Sequence, residues 1–187
     1  MLYENLLEEC FWERGMSKKI WLEKEKIVES WSVLIEDGKG KAEDIYNGVS
    51  KLIKERDAPA LRLERVIVRT GERKSLFGRL LEREYLRVLN EELKDFRIYI
   101  GARDYGKDLN VSWYLTCEPG FFKQMLGFSP KGYGVHWSLK MFSQEDLTAY
   151  VTLVHHSLLK TVEKLMRDLG EDPSKIDRKS RGFLGVS

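Results

Sequence analysis

Phe96-Arg97-Ile98-Tyr99-Ile100-Gly101-Ala102-Arg103-Asp104-Tyr105, then Gly106-Lys107, then Asp108-Leu109-Asn110-Val111-Ser112-Trp113-Tyr114-Leu115-Thr116-Cys117, is the stretch on which the fold turns. On its first arm Phe96, Ile98, Ile100 and Ala102 alternate with Arg97, Tyr99, Gly101 and Arg103. On its second arm Leu109, Val111, Trp113, Leu115 and Cys117 alternate with Asn110, Ser112, Tyr114 and Thr116. Successive side chains of a strand point to opposite faces, so this pattern predicts a β-hairpin with one face in a core. With Gly106-Lys107 as the loop, Tyr105 faces Asp108 and the register pairs Ile100 with Trp113, Ile98 with Leu115, Tyr99 with Tyr114 and Arg103 with Asn110. Every pair then matches in polarity, and a shift of one position would mismatch them all.

Working outward, Val135, Trp137, Leu139 and Met141 alternate with His136, Ser138 and Lys140, which predicts a further strand over 135–142. Glu118-Pro119-Gly120 and the Gly- and Pro-bearing stretch that follows read as loop. Ser143-Gln144-Glu145-Asp146 has capping-box spacing, and Leu147, Val151, Val154, Leu158, Val162, Leu165 and Leu169 carry a helical stripe to Gly170. That predicts a long helix over 144–169 lying across the sheet. Upstream, Ala42, Ile45, Tyr46, Val49, Leu52 and Ile53 predict a helix to about residue 56, and the β-branched run Val66-Ile67-Val68 predicts a strand over 61–69. Leu76, Phe77, Leu80, Leu81, Tyr85, Val88 and Leu89, set among Arg and Glu, read as a second long helix over 75–93. Residues 19–36 fit both periods, and the reading divides them into helix over 19–29 and strand over 30–36. Tyr3, Leu6, Leu7, Cys10 and Phe11 predict a short amphipathic helix over 2–13, docked on its own domain or on a second copy as a dimer contact.

The expected architecture is therefore α+β: one domain over 1–172 with an antiparallel-dominated sheet of about four to five strands, packed on one face by helices that include the long C-terminal one. Residues 173–187 lack periodicity and read as an extended or mobile basic and apolar tail.

Composition narrows the function classes. No stretch of the 187 residues is both apolar and long enough to span a bilayer, and the acidic start Glu4, Glu8, Glu9 is unlike a secretory signal. Cys10 and Cys117 are the only cysteines, in no C-x-x-C pair, which fits free thiols in a reducing, cytoplasmic setting. A charged fraction of 33% with two Gln and four Asn is a balance found in heat-adapted proteins. The net charge of +2 runs unevenly, from −3 over residues 1–55 to +4 over 56–107, −2 over 108–172 and +3 over 173–187. No block is dense enough to name a polyanionic partner.

No catalytic set can be assembled, and the reading points to no cofactor and no metal. His155-His156 are adjacent, about 100° apart on a helix, and so cannot chelate one ion as an i, i+4 pair does. Gly38-Lys39-Gly40-Lys41 lacks the spacing of a phosphate loop and reads as a turn. Two surfaces remain. If the 135–142 strand joins the hairpin, one sheet face shows Arg97, Tyr99, Arg103, Tyr114, His136 and Lys140, a set able to stack bases and meet phosphates or to hold a protein, or simply to cover a solvated sheet. The tail shows Arg178, Lys179 and Arg181 beside Phe183, Leu184 and Val186, suited to a nucleic-acid arm, to a linear motif, or to folding back on its own domain. The leading expectation is a non-enzymatic interaction module with a protein or nucleic-acid partner. The alternative is a small-molecule-binding protein or enzyme with a cavity between sheet and final helix, lined by Trp113, Trp137 and Met141.

Overall fold

The computed structural model describes residues 18–22, 25–73, 80–118, 140–182 and 184–187. Its elements are β1 (Lys18–Trp21), β2 (Lys26–Ile35), α1 (Ala42–Glu55), β3 (Leu61–Arg73), β4 (Leu80–Asn90), β5 (Phe96–Tyr105), β6 (Asp108–Cys117), α2 (Met141–Asp168), a single 3-10 turn at Pro173–Lys175, and β7 (Arg181–Gly182). Among the described residues the strands form a seven-stranded sheet in the order β1-β3-β4-β5-β6-β2-β7. The fold is α+β as expected, but the sheet is larger than expected and mixed, because β1 runs parallel to β3 while the other neighbours are antiparallel.

The hairpin forms in the predicted register, with Ile100 opposite Trp113, Tyr99 opposite Tyr114 and Tyr105 opposite Asp108. Gly106 takes φ +70, a conformation that lets the two-residue loop follow the strand twist. The apolar arm residues Ile98, Ile100, Leu109, Val111, Trp113, Leu115 and Cys117 have no solvent exposure. They pack under α2, whose Leu147, Val151, Val154, Leu158, Val162 and Leu165 make the stripe read from the sequence. Burying one such side chain contributes about 1.5–3 kcal/mol before entropy is counted, so α2 is held by its stripe rather than by its caps. Helix α1 lies on the same side, with Ile45, Val49 and Ile53 in the core and the Tyr46 hydroxyl accepting from the Ala102 amide at 3.0 Å.

Three sequence expectations give way here. The 75–93 helix is replaced by β4. Leu86 and Val88 face α2 while Tyr85, Arg87 and Leu89 face the other way, so both faces carry apolar groups and the alternation is obscured. The charges that resembled a helix surface pair across strands instead: Glu82 with Arg69, Glu84 with Arg65, Arg87 with Glu64. The 19–29 helix is replaced by β1 and the start of β2, and a register shift between Ile27 and Glu29 is what broke the period of two. Helix α2 begins at Met141 with Lys140 as its N-cap, so the 135–142 strand does not extend through 140–142; residues 135–139 lie outside the described ones, as does the 2–13 helix with its dimer contact.

The tail, read as extended or mobile with folding back on its own domain as the alternative, is docked. Residues 176–182 and 184–187 form a strap along the outer edge of β2: Gly182 and Arg181 pair with Glu29 and Ser30, Ile176 and Val186 are buried, and Leu184 packs on the core. At Glu29 and Ser30 the strap takes up backbone groups of the β2 edge with which another chain could otherwise pair. The strap is anchored on the Glu29 carboxylate, itself 1% exposed, which accepts from the Ser180 hydroxyl, from the Leu184 amide at 2.8 Å and from the Gly185 amide at 2.9 Å. A Cβ on Gly182 would meet the Val28 carbonyl at 2.6 Å, so only glycine lets the strap approach this closely.

Candidate functional site

The face of the sheet turned away from α1 and α2 carries no helix among the described residues. Its centre is aromatic. Tyr99 and Tyr114 stand opposite each other across β5 and β6, and the Tyr85 ring meets Tyr99 edge-on at 6.2 Å between centroids. Val66, Val68, Ile20 and Leu22 close in around Tyr99 and Tyr85 as a second, smaller apolar cluster. Gly101 makes room for this arrangement, since a Cβ there would lie 2.7 Å from the Tyr85 ring. A Gly101→Val protein is therefore expected to displace Tyr85 and lose about 1–3 kcal/mol of stability, read as a lowered urea midpoint at unchanged slope.

Arginines ring the tyrosines, and carboxylates hold them. Arg97 donates to Glu25 at 2.9 Å and to Glu118, while Glu25 also takes the Thr116 hydroxyl and, at 3.2 Å, the Tyr99 hydroxyl. Glu25 thus ties the segment before β2 onto the sheet. Arg87 donates to Glu64, which also accepts from Arg62 Nε at 3.0 Å. Burial disfavours the Arg87 and Arg97 cations, but the carboxylate partners outweigh it and raise both pKa values, so both stay charged. Burial, with the Glu25 charge beside it, pushes the Tyr99 phenol well above its ordinary range, and burial raises Tyr85 too. Neither tyrosine is poised to exchange a proton near neutrality.

Beside this cluster, at the β3, β4 and β5 side, lies an open cleft of about 750 Å³ whose walls include Lys18, Arg62, Glu64, Arg87, Lys94 and Arg97. Arg87 keeps a buried Nε without an acceptor there. An unpaired buried donor is costly to a folded protein, and this one is closed off from a bound partner as well as from solvent.

Of the residues singled out in the sequence, Arg97, Tyr99 and Tyr114 come together on this face. Tyr99 is 2% exposed, so it supports the site from beneath rather than offering a stacking surface. Arg103 is exposed further along β5, 5.9 Å from the Tyr105 ring. Lys140 is not on the sheet face but at the start of α2, and His136 lies outside the described residues. Arg178, Lys179 and Arg181 sit at the opposite edge of the sheet, in the strap; Arg178 is turned to Glu163 at 2.7 Å, while Lys179 and Arg181 are exposed. Tyr85 and Arg87 went unrecognised because 75–93 read as a helix, and Arg62 and Glu64, on the predicted 61–69 strand, were left without the partner strand that faces them. The Glu64 and Arg87 charges, placed to oppose each other once 80–90 is set antiparallel to 61–73, are the signal that would have found them.

The other chemistry considered from the sequence is not built here. Burial pushes the Cys117 thiol up to about 12, which leaves it a core side chain with no thiolate at neutral pH. Trp113 is fully buried and Met141 is 65% exposed, so they do not line a common cavity under α2; Trp137 lies outside the described residues. Among the described residues no His, Cys, Asp and Glu side chains group to hold a metal ion, and no helix is long and apolar enough to cross a membrane. No protein-family model matches the chain, and no curated protein matches it significantly.

Proposed function

We propose that this chain is a non-enzymatic binding module whose sheet face opposite α1 and α2, from the cleft to Arg103, receives a protein partner. The observation that carries this reading is the fixed arrangement of Tyr85, Tyr99 and Tyr114 with Arg87 and Arg97, each arginine held by a carboxylate beside an open cleft. Tyrosine and arginine are the residue types that anchor protein interfaces, and side chains already held in place lose little freedom on binding. The same pairing weighs against a nucleic acid. Arg87 and Arg97 are neutralised within the chain by Glu64, Glu25 and Glu118, so phosphates would find few uncommitted cations between them.

Titration with short single- and double-stranded DNA and RNA at low and at physiological salt tests this choice. No saturable binding at low salt is expected. Binding that weakens steeply with salt, and that is lost on Arg62→Ala or Arg103→Ala substitution, would overturn the protein-partner reading in favour of a nucleic-acid one.

A further inference from the structure

His155 of α2 is fully buried where the helix, the sheet and the strap meet. Trp113 of β6 donates its indole N–H to His155 Nδ1 at 2.9 Å, and His155 Nε2 stands 2.7 Å from the Arg178 carbonyl of the strap. An indole nitrogen only donates and a carbonyl only accepts. Nδ1 must therefore be bare and Nε2 must carry the proton, which is the neutral imidazole in one tautomer. Trp31 of β2 meets the same ring edge-on at 5.7 Å, and its own N–H donates to the Asp177 carbonyl of the strap at 2.6 Å. A second proton on His155 would point at the Trp113 N–H with no acceptor in reach.

We propose that the strap is an acid-released cover, held closed by neutral His155 and lifted when that imidazole takes a second proton. The strap, rather than the sheet, is the part able to yield. It is held by the two-residue β7, by Glu29, by the Arg178–Glu163 ion pair at the surface, by single carbonyl contacts at Asp177, Arg178 and Ser187, and by Ile176, Leu184 and Val186. Trp113, in contrast, sits in β6 with a strand hydrogen-bonded on each side. Stability is unevenly distributed in such folds, and the segment with the fewest buried contacts opens first. Lifting it uncovers the Nε2 edge of His155 and frees the ring to turn Nδ1 to water.

The charged or titratable groups bearing on His155 are Glu29 from β2, His156 from its own helix and Arg178 from the strap, whose guanidinium is engaged by Glu163; β6 faces it with Trp113. Burial lowers the His155 pKa in the closed form, with His156 adding to the effect and the Arg178 carbonyl and Glu29 opposing it. An imidazole in water titrates near about 6.5. The open form therefore binds the proton first, so closure is fully favoured above that pH and loses ground as pH falls below it. While the closed form stays unprotonated, the open population rises about 30-fold between about pH 8 and about pH 5.

Amide hydrogen exchange, corrected for the intrinsic pH dependence of exchange, measures this directly. Protection at Ser180, Leu184 and Gly185 is expected to fall by that factor while protection at Ile98 and Leu115 holds. The fall should begin at about pH 6.5, and the ring nitrogen shifts of His155, which also report the tautomer, should show the second proton only in step with the population of open strap. His155→Gln should remove the pH dependence, and Glu29→Gln should keep it on a more open strap. Strap protection that does not change, that falls together with β5 and β6, or that loses its pH dependence in Glu29→Gln but not in His155→Gln would overturn the proposal. If His155→Gln does not fold, the wild-type ring decides: a His155 that takes up its second proton while the strap amides stay protected would overturn it equally.

Discussion

A Trp113→Ala protein is expected to lose about 3–5 kcal/mol of unfolding free energy, enough to bring an ordinary domain close to unfolding at room temperature. Among the described residues Trp113 is the largest of the fully buried side chains, and it stands opposite Ile100 and Trp31 on the neighbouring strands. Its truncation opens a cavity under α2 and leaves His155 Nδ1 without its donor. The two contributions can be separated. Trp113→Phe keeps most of the volume and deletes the N–H, so its smaller loss, about 1–3 kcal/mol, reads the unpaired nitrogen together with a modest cavity. Urea unfolding of the two variants beside wild type checks the order Ala, then Phe, then wild type. Equal losses for the two would show that the indole is not the keystone described here.

Replacing Glu29 by alanine is the second large change. A buried carboxylate that accepts three hydrogen bonds and has no salt-bridge partner among the described residues is held chiefly by those bonds. Hydrogen bonds to a charged group are worth about 1.5–3 kcal/mol each, but the Ser180, Leu184 and Gly185 donors regain water if the strap lifts. The loss should therefore appear locally. Global stability is expected to drop by about 2–4 kcal/mol at most, while the Leu184 and Gly185 amides lose nearly all their protection from exchange. A Glu29→Ala protein whose strap amides stay protected would show that β7 and the buried Ile176 and Val186 hold the strap unaided.

The hairpin was fully legible in the sequence because one of its faces is apolar and the other is not, and because Gly106 marks the loop. The stripe of α2 was legible for the same reason at helical spacing. What escaped was the part of the sheet that buries apolar groups on both faces. Leu86 and Val88 serve the main core while Tyr85 serves the small cluster around Val66, so β4 has no polar face to reveal its period. In β2, the register shift before Glu29 hid the strand, and a buried glutamate on the core side reads as an error until its three donors arrive from 151 or more positions away. Half of the candidate site lies on these two misread strands and their neighbours. Arg97, Tyr99 and Tyr114 were found from the hairpin; Arg87, Glu64 and the tie through Glu25 needed the tertiary structure.

The most direct test of the binding face is site-specific photo-crosslinking in cells, with a photoreactive residue placed at Lys94 on the cleft wall, at Arg103 on β5, and at Lys51 on the exposed side of α1 as a control. One discrete protein adduct shared by the Lys94 and Arg103 positions and absent at Lys51 is expected, weakened when Arg62 and Tyr114 are changed to alanine. An adduct equally strong at all three positions, or adducts at Lys51 alone, would contradict it and place the working surface on the helical side of the sheet.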